Sequence, residues 1–413
     1  MTVAQIATSH GDDQYLQLRW DIWIRAFQFR LMPPLPVLHR LILERDALGT
    51  ELWDGVMRPA LVARVPALFA ADADPAMRRI AMDLRRVGAS AYAMTGSLYY
   101  LHGTRPAAAR AAGVAAMWLA QAAAVIDYLL DEEAFDPAAM AAHLRPDLIS
   151  AALPPPGDPH WRVHHFDVLP FDPTLTFVLT AVEQGFAGLR SCLALAPDDA
   201  YHRRMRDELL ICIQQMVGAE IDSPALHLDR CDDLEEVDRI LRRVNALSVW
   251  LFAYAGLITE PAPPDPAIGA VARIAELVGH IGWTLDALED VIPDLVSGVW
   301  NRAWLLLAQT HYRHRPAEWR ALVTQRERAL EVLAGSIVID RLLSSIELAH
   351  DEILANPAVP ADARSQLVDL CGLLVWSFLA PRGPRVERPP ADTRSRRPLD
   401  PPVGIFFEDK PAF

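Results

Sequence analysis

Two long apolar stretches with helical spacing each run into acids set four residues apart, and that pattern constrains the fold more than any other. The stretch Ala111 to Ile126 carries no charge and stops at Asp127-Tyr128-Leu129-Leu130-Asp131, followed by Glu132 and Glu133. The second stretch begins near Ala267 and reaches Asp286-Ala287-Leu288-Glu289-Asp290, followed by Asp294. Acids at i and i+4 share one helix face. Carboxylates at the end of a buried helix are costly unless they are solvated or bound to cations. Two such ends facing each other across an apolar cavity would hold several divalent cations. All-oxygen donors and a phosphate-bearing ligand point to Mg²⁺.

The rest of the chain supports an all-α bundle. Of 413 residues, 52% are hydrophobic, enough for one large core. Val/Ile/Thr alternation is sparse and there is no Asn-Gly hairpin signal, whereas runs of Ala, Leu, Arg and Glu favour helix. The net charge of −14 argues against nucleic acid as a partner. Lys410 is the sole lysine, so contacts to an anionic ligand fall to arginine, main chain or metal. The four cysteines (Cys192, Cys212, Cys231, Cys371) lack metal-ligand spacing and read as reduced. The N-terminus has no signal-peptide pattern, and the Ala111–Ile126 stretch is too short for a stable membrane span. A cytoplasmic protein is expected.

Helical patterns are expected over 50–69, 75–101, 106–133, 175–195, 198–221, 234–256, 267–307, 316–355 and 360–379. The segment 1–50, with its Pro33-Pro34-Leu35-Pro36 break, reads as an N-terminal helical extension and 51–380 as the main domain. Residues 381–413, rich in Pro and Arg, read as a disordered tail. His160, His164 and His165 sit in a Pro-rich loop and read as solvated rather than as a metal cluster.

Three ordered blocks resemble the trans-polyprenyl diphosphate synthases and their class I terpene synthase relatives. The first is Leu84-Arg85-Arg86 through Gly113 to Asp131, similar to an Arg-rich helix start and the first Asp-rich motif. The second runs from Met216-Val217-Gly218-Ala219 to Gly256, similar to the family's middle helices. The third, Ala275 to Asp294 with Gly298 and Asn301, resembles the second Asp-rich motif. The resemblance implies an isoprenoid-synthase bundle around an apolar cavity, three Mg²⁺ ions and a prenyl diphosphate substrate. It also implies a possible homodimer. Asp127, Asp131, Asp286 and Asp290 would act as metal ligands, joined by Glu289 and Asp294. Arg85, Arg86, Arg243 and Arg302 would bind diphosphate. Trp118, Ala122, Ala123 and Trp283 would line the pocket.

The departures are informative. Tyr128 and Ala287 stand where the family usually carries a second Asp, leaving D-x-x-x-D in both motifs, as in squalene-synthase-like enzymes and a bacterial class of large-terpene cyclases. Ala134-Phe135-Asp136 replaces an Arg pair, and Ala219 replaces a glutamine. A chain elongator must grip two diphosphates; a cyclase needs one. These changes therefore favour a terpene cyclase, a lyase that ionises one linear prenyl diphosphate. Elongation, head-to-head condensation and a non-catalytic partner subunit stand as alternatives. No D-x-D-D motif for protonation-initiated cyclisation is present. Trp118 lies about 14 Å above Asp127 along a helix. With small Ala122 and Ala123 between them, the pocket is expected to take a C15 or C20 chain.

Overall fold

The structure is a computed structural model. It describes residues 11–64, 85, 87–95, 106–131, 142, 144–153, 173–194, 198–222, 226–229, 233–243, 265–357 and 359–380. The expected tail at 381–413 and the His160–His165 loop lie outside these residues, as do Arg86 and the side chains of 125–131. Among the described residues the architecture is all-α; the only β pairing there is an isolated antiparallel bridge between His227 and Val299.

The labelled helices are α1 (Gly11–Gln28), α2 (Leu35–Leu52), α3 (Arg58–Arg64), α4 (Pro106–Asp131), α5 (Pro146–Ala152), α6 (Pro173–Leu193) and α7 (Ala200–Asp222). They continue with α8 (Asp265–Glu289), α9 (Val291–Ser297), α10 (Arg302–Leu307), α11 (Pro316–Val323), α12 (Arg326–Ala334), α13 (Val338–Ala355) and α14 (Ala361–Leu379). Residues 87–95 and 234–243 are also helical. Helices α4, α5, α6 and α11 begin at proline. Its fixed φ suits the first helical position, where no N–H bond is needed. A π-helical turn, Trp53–Met57, joins α2 to α3 without a break, so residue 50 lies inside a continuous helical run.

Two expected helices are in fact broken. The 267–307 stretch divides into α8, α9 and α10. Asp290 leaves helical geometry at φ −96°, ψ 9°, and Gly298 ends α9 at φ +76°, a left-handed conformation that glycine adopts without a Cβ penalty. The 316–355 stretch divides into α11, α12 and α13. Gly335 and Ser336 separate the last two, and the Ser336 hydroxyl accepts the Val338 N–H at 3.2 Å.

A single hydrophobic cluster runs from Leu18 in α1 to Leu379 in α14. Within it α4 packs along α6, while α8 packs against α13 and α14. Helix α1 lies on α13 and α14, tied by Arg25 to Asp340 at 3.0 Å and by Arg19 to the Phe378 carbonyl at 2.9 Å. Among the described residues no helix is long and apolar enough to cross a membrane.

Candidate functional site

Helix α8 is core along most of its length, with Val271, Ile274, Ala275, Val278, Ile281, Leu285 and Leu288 buried. Its last turn changes character. Asp286, Glu289, Asp290 and, in α9, Asp294 are all only half-buried. The backbone carries the acids from turn to turn: Asp290 N–H donates to the Asp286 carbonyl, and Asp294 N–H to the Asp290 carbonyl, both at 2.9 Å. Successive acids therefore stand one helical turn apart. Glu289 lies 3.8 Å from Arg19 Nη2, which anchors this end of α8 to α1. On the turn before Asp286, a Cβ built on Gly282 would meet no described atom within 4 Å.

Asn301 closes the segment. Its Oδ1 accepts from Ala303 N–H at 2.9 Å and Trp304 N–H at 3.1 Å, capping α10. Its Nδ2 donates to Asp294 Oδ2 at 2.8 Å and to the Ala287 carbonyl at 3.2 Å. The loop is pinned further by Trp300 Nε1 on the His227 carbonyl at 3.0 Å, Leu228 N–H on the Gly298 carbonyl at 2.7 Å, and Trp304 Nε1 on the Val291 carbonyl at 2.8 Å.

The next residue, Arg302, is a fixed cation. Its guanidinium carbon sits 4.2 Å from the centroid of Trp283, a cation–π distance. Nη1 donates to Thr284 Oγ1 and approaches His280 Nδ1 at 3.3 Å. The tautomer of His280 follows from its surroundings. Ser345 spends its hydroxyl proton on the Leu342 carbonyl at 2.7 Å, so its oxygen accepts from His280 Nε2 at 3.0 Å, leaving Nδ1 as the acceptor for Arg302. Burial first, then the positive charges of Arg302, Arg242 and Arg273, push the His280 pKa down to about 4, so the ring is neutral near pH 7. Burial and the charge of Arg242 lower Arg302 to about 10. Among the described residues no carboxylate lies within ion-pair distance of Arg302.

The first acid cluster stands on α4. Ala122 and Ala123 line an apolar cleft together with Leu119, Phe186 of α6, and Met216 and Val217 of α7; its empty volume, counted out to open solvent, is about 510 Å³. Asp127 occupies the position one turn beyond Ala123, and Asp131 the position one turn further, about 6 and 12 Å along the axis. Their side chains lie outside the described residues, so nothing places them against α8.

The other expected contacts divide. Trp118 is 1% exposed and packs in the core, not on the cleft wall. Trp283 is absent from that wall too and serves as the platform for Arg302. Arg85 donates to Thr50 Oγ1 at 2.8 Å and lies 6.0 Å from the Trp53 ring centroid. Arg243 is exposed, the last described residue of the helical stretch 234–243.

Carboxylate oxygens are chemically suited to a hard divalent cation. Among the described residues no three acids, histidines or cysteines converge on one point. Sequence reasoning passed over the Arg302 cradle. Its signal was the pair His280 and Thr284, polar residues four apart inside the otherwise apolar run 277–285. It also passed over the opposite wall of the cleft, where Phe186 and Met216 look like ordinary core residues.

No protein-family model matches the chain, and no curated protein matches it. Among solved structures, the crystal structure of geranylgeranyl pyrophosphate synthase from Lactobacillus brevis ATCC 367 is similar over 79% of this chain and 98% of that one, at 17% identity and a TM-score of 0.44. The functional reading therefore rests on the residues of the chain itself.

Proposed function

We propose that the chain is a Mg²⁺-dependent class I isoprenoid synthase that ionises a linear prenyl diphosphate. One observation carries the reading: α4 lines an apolar cleft with Ala122 and Ala123, and the same helix ends one to two turns later in Asp127 and Asp131. A hydrocarbon tail in such a cleft brings its polar end to the acids. Asp127 and Asp131 would hold Mg²⁺ on one wall, and Asp286 and Asp290 on the other, with Glu289 and Asp294 beside them. Bound metal supplies Lewis-acid neutralisation of the leaving diphosphate.

The chain's own residues have separate tasks. Arg302 is oriented by Trp283, Thr284 and His280, all uncharged at neutral pH; among the described residues the carboxylate that attracts it, Asp238, is itself paired with Arg242, which leaves the Arg302 charge to meet an anionic ligand. The apolar cleft walls exclude water from the allylic cation formed on ionisation. Within this class the residues favour a cyclase, because Ala134-Phe135-Asp136 and Ala219 remove groups that would grip a second diphosphate. Prenyl diphosphate synthesis, the activity in the name of the Lactobacillus brevis protein, is the alternative.

The test is incubation of purified protein with C10 to C25 prenyl diphosphates, with Mg²⁺ or EDTA, and with or without isopentenyl diphosphate. Diphosphate release and products are read by mass spectrometry. A cyclase releases diphosphate from one substrate alone; an elongating enzyme yields longer diphosphates only with isopentenyl diphosphate. No Mg²⁺-dependent turnover of any substrate refutes the proposal.

A further inference from the structure

A helix N-cap needs only one acceptor oxygen, and Ser, Thr, Asp and Asn all supply it about equally well. Next to a helix N-terminus, aspartate gains a further favourable charge–dipole interaction. Position 301 nevertheless carries Asn, and the structure gives a reason. The side chain is 7% exposed and all four of its hydrogen-bonding capacities are used. Oδ1 takes the Ala303 and Trp304 N–H groups; the two amide protons go to Asp294 Oδ2 at 2.8 Å and the Ala287 carbonyl at 3.2 Å. Only an amide of this length can cap α10 and donate twice. One side chain thus joins three pieces: the final turn of α8 between Asp286 and Asp290, the acid of α9, and the start of α10.

We propose that Asn301 is a positioning residue, which holds the Asp294 carboxylate in one orientation at the end of the α8 acid series. This inference rests on the proposed function. With Oδ2 tied to a buried amide, the carboxylate cannot rotate freely, and its distance from the last turn of α8 is set through the Ala287 bond. A donor that is itself immobilised costs the site no reorganisation when charge arrives. Asn301→Ala or Asn301→Ser would remove the grip on Asp294, and the alanine would also remove the cap.

The discriminating experiment is an exchange. Asn301→Asp keeps the capping oxygen but sets a carboxylate against Asp294. Asp294→Asn leaves two amides face to face. The double variant Asp294→Asn/Asn301→Asp restores a donor–acceptor pair with the carboxylate moved from 294 to 301. Two quantities are measured on full-length protein. One is the thermal midpoint without ligand. The other is the Mg²⁺ concentration that gives half of the midpoint rise produced by inorganic diphosphate. We expect the double variant to recover most of the thermal loss of Asn301→Asp, while needing at least tenfold more Mg²⁺ than wild type. Because Asp294→Asn by itself removes an acid of the metal set, the positioning role is read from Asn301→Ser, which keeps the cap and Asp294 and loses only the amide donor: it should need several-fold more Mg²⁺ than wild type, and an unchanged requirement overturns the proposal. Recovery of both quantities in the double variant also overturns it, since the site would then use no carboxylate at 294. A wild-type protein with no Mg²⁺-dependent rise overturns the proposed function along with the inference; in the other two cases only the role of Asn301 falls.

Discussion

The close approach of α6 to the α4 backbone gives a sharp test of the packing. A Cβ built on Gly188 of α6 would lie 2.8 Å from Ala115 Cβ, 2.9 Å from Ala115 Cα and 3.0 Å from Ala115 N. Carbon–carbon contacts normally settle at about 3.5–4.0 Å. Two of the three obstructing atoms belong to the α4 backbone, so no rotamer change relieves them and α4 must move away from α6. A gap of about 0.5–1 Å forfeits a quarter to a half of the dispersion energy at each contact it opens. Overpacking of this kind costs about 1–3 kcal/mol, and the backbone obstruction puts Gly188→Ala at the upper end. Alanine's better helix propensity returns about 1 kcal/mol. A net loss of about 2 kcal/mol follows. Gly269 of α8 is the control: it is exposed and a Cβ there meets nothing within 4 Å, so Gly269→Ala should gain about 0.5–1 kcal/mol. Urea denaturation of both variants against wild type, at matched m values, measures the difference. A Gly188→Ala protein as stable as Gly269→Ala would refute the close approach of α4 and α6.

Other expectations concern the site and the response to acid. Asp286→Ala should lower Mg²⁺-dependent turnover by about 10³-fold or more with the thermal midpoint near wild type, since the half-buried acid contributes to chemistry more than to packing; near-normal turnover would remove Asp286 from the metal set. Ala123→Phe should shift the preferred prenyl diphosphate towards C10 or C15 in competition assays, and Phe186→Ala, on the facing wall, towards longer chains. An unchanged length profile in both would mean that the cleft does not hold the hydrocarbon. Burial holds His280 and His350 at about 4, below the ordinary value of 6.5. The unfolded chain then takes up protons first as pH falls, so stability is full above about pH 6.5 and declines towards pH 4. His350→Leu should flatten part of that decline, by an amount on the order of 2–3 kcal/mol; an acid limb identical to wild type would place His350 outside it.

Local pattern was enough to specify helix. Apolar spacing in 111–126 and 268–288, prolines at helix starts and the lack of alternating strands all act over a few residues, and the all-α architecture follows from them. The four-residue spacing of Asp286, Asp290 and Asp294 was equally legible, because the helical repeat alone dictates it. What the tertiary structure decided were the partners. Arg302 was legible as a candidate diphosphate contact, but not the Trp283, Thr284 and His280 side chains that surround it. Trp118 and Trp283 both read as pocket walls; the structure shows the first buried in the core and the second under Arg302, surroundings set by neighbouring helices and not by spacing. The breaks at Asp290 and Gly298 carried signals in Pro293, Gly298 and Asn301. Their consequence, a buried amide holding Asp294, depended on α10 folding back beneath α8. Hydrogen bonds between residues distant in sequence are chosen by packing, and packing is the property that a linear pattern does not encode.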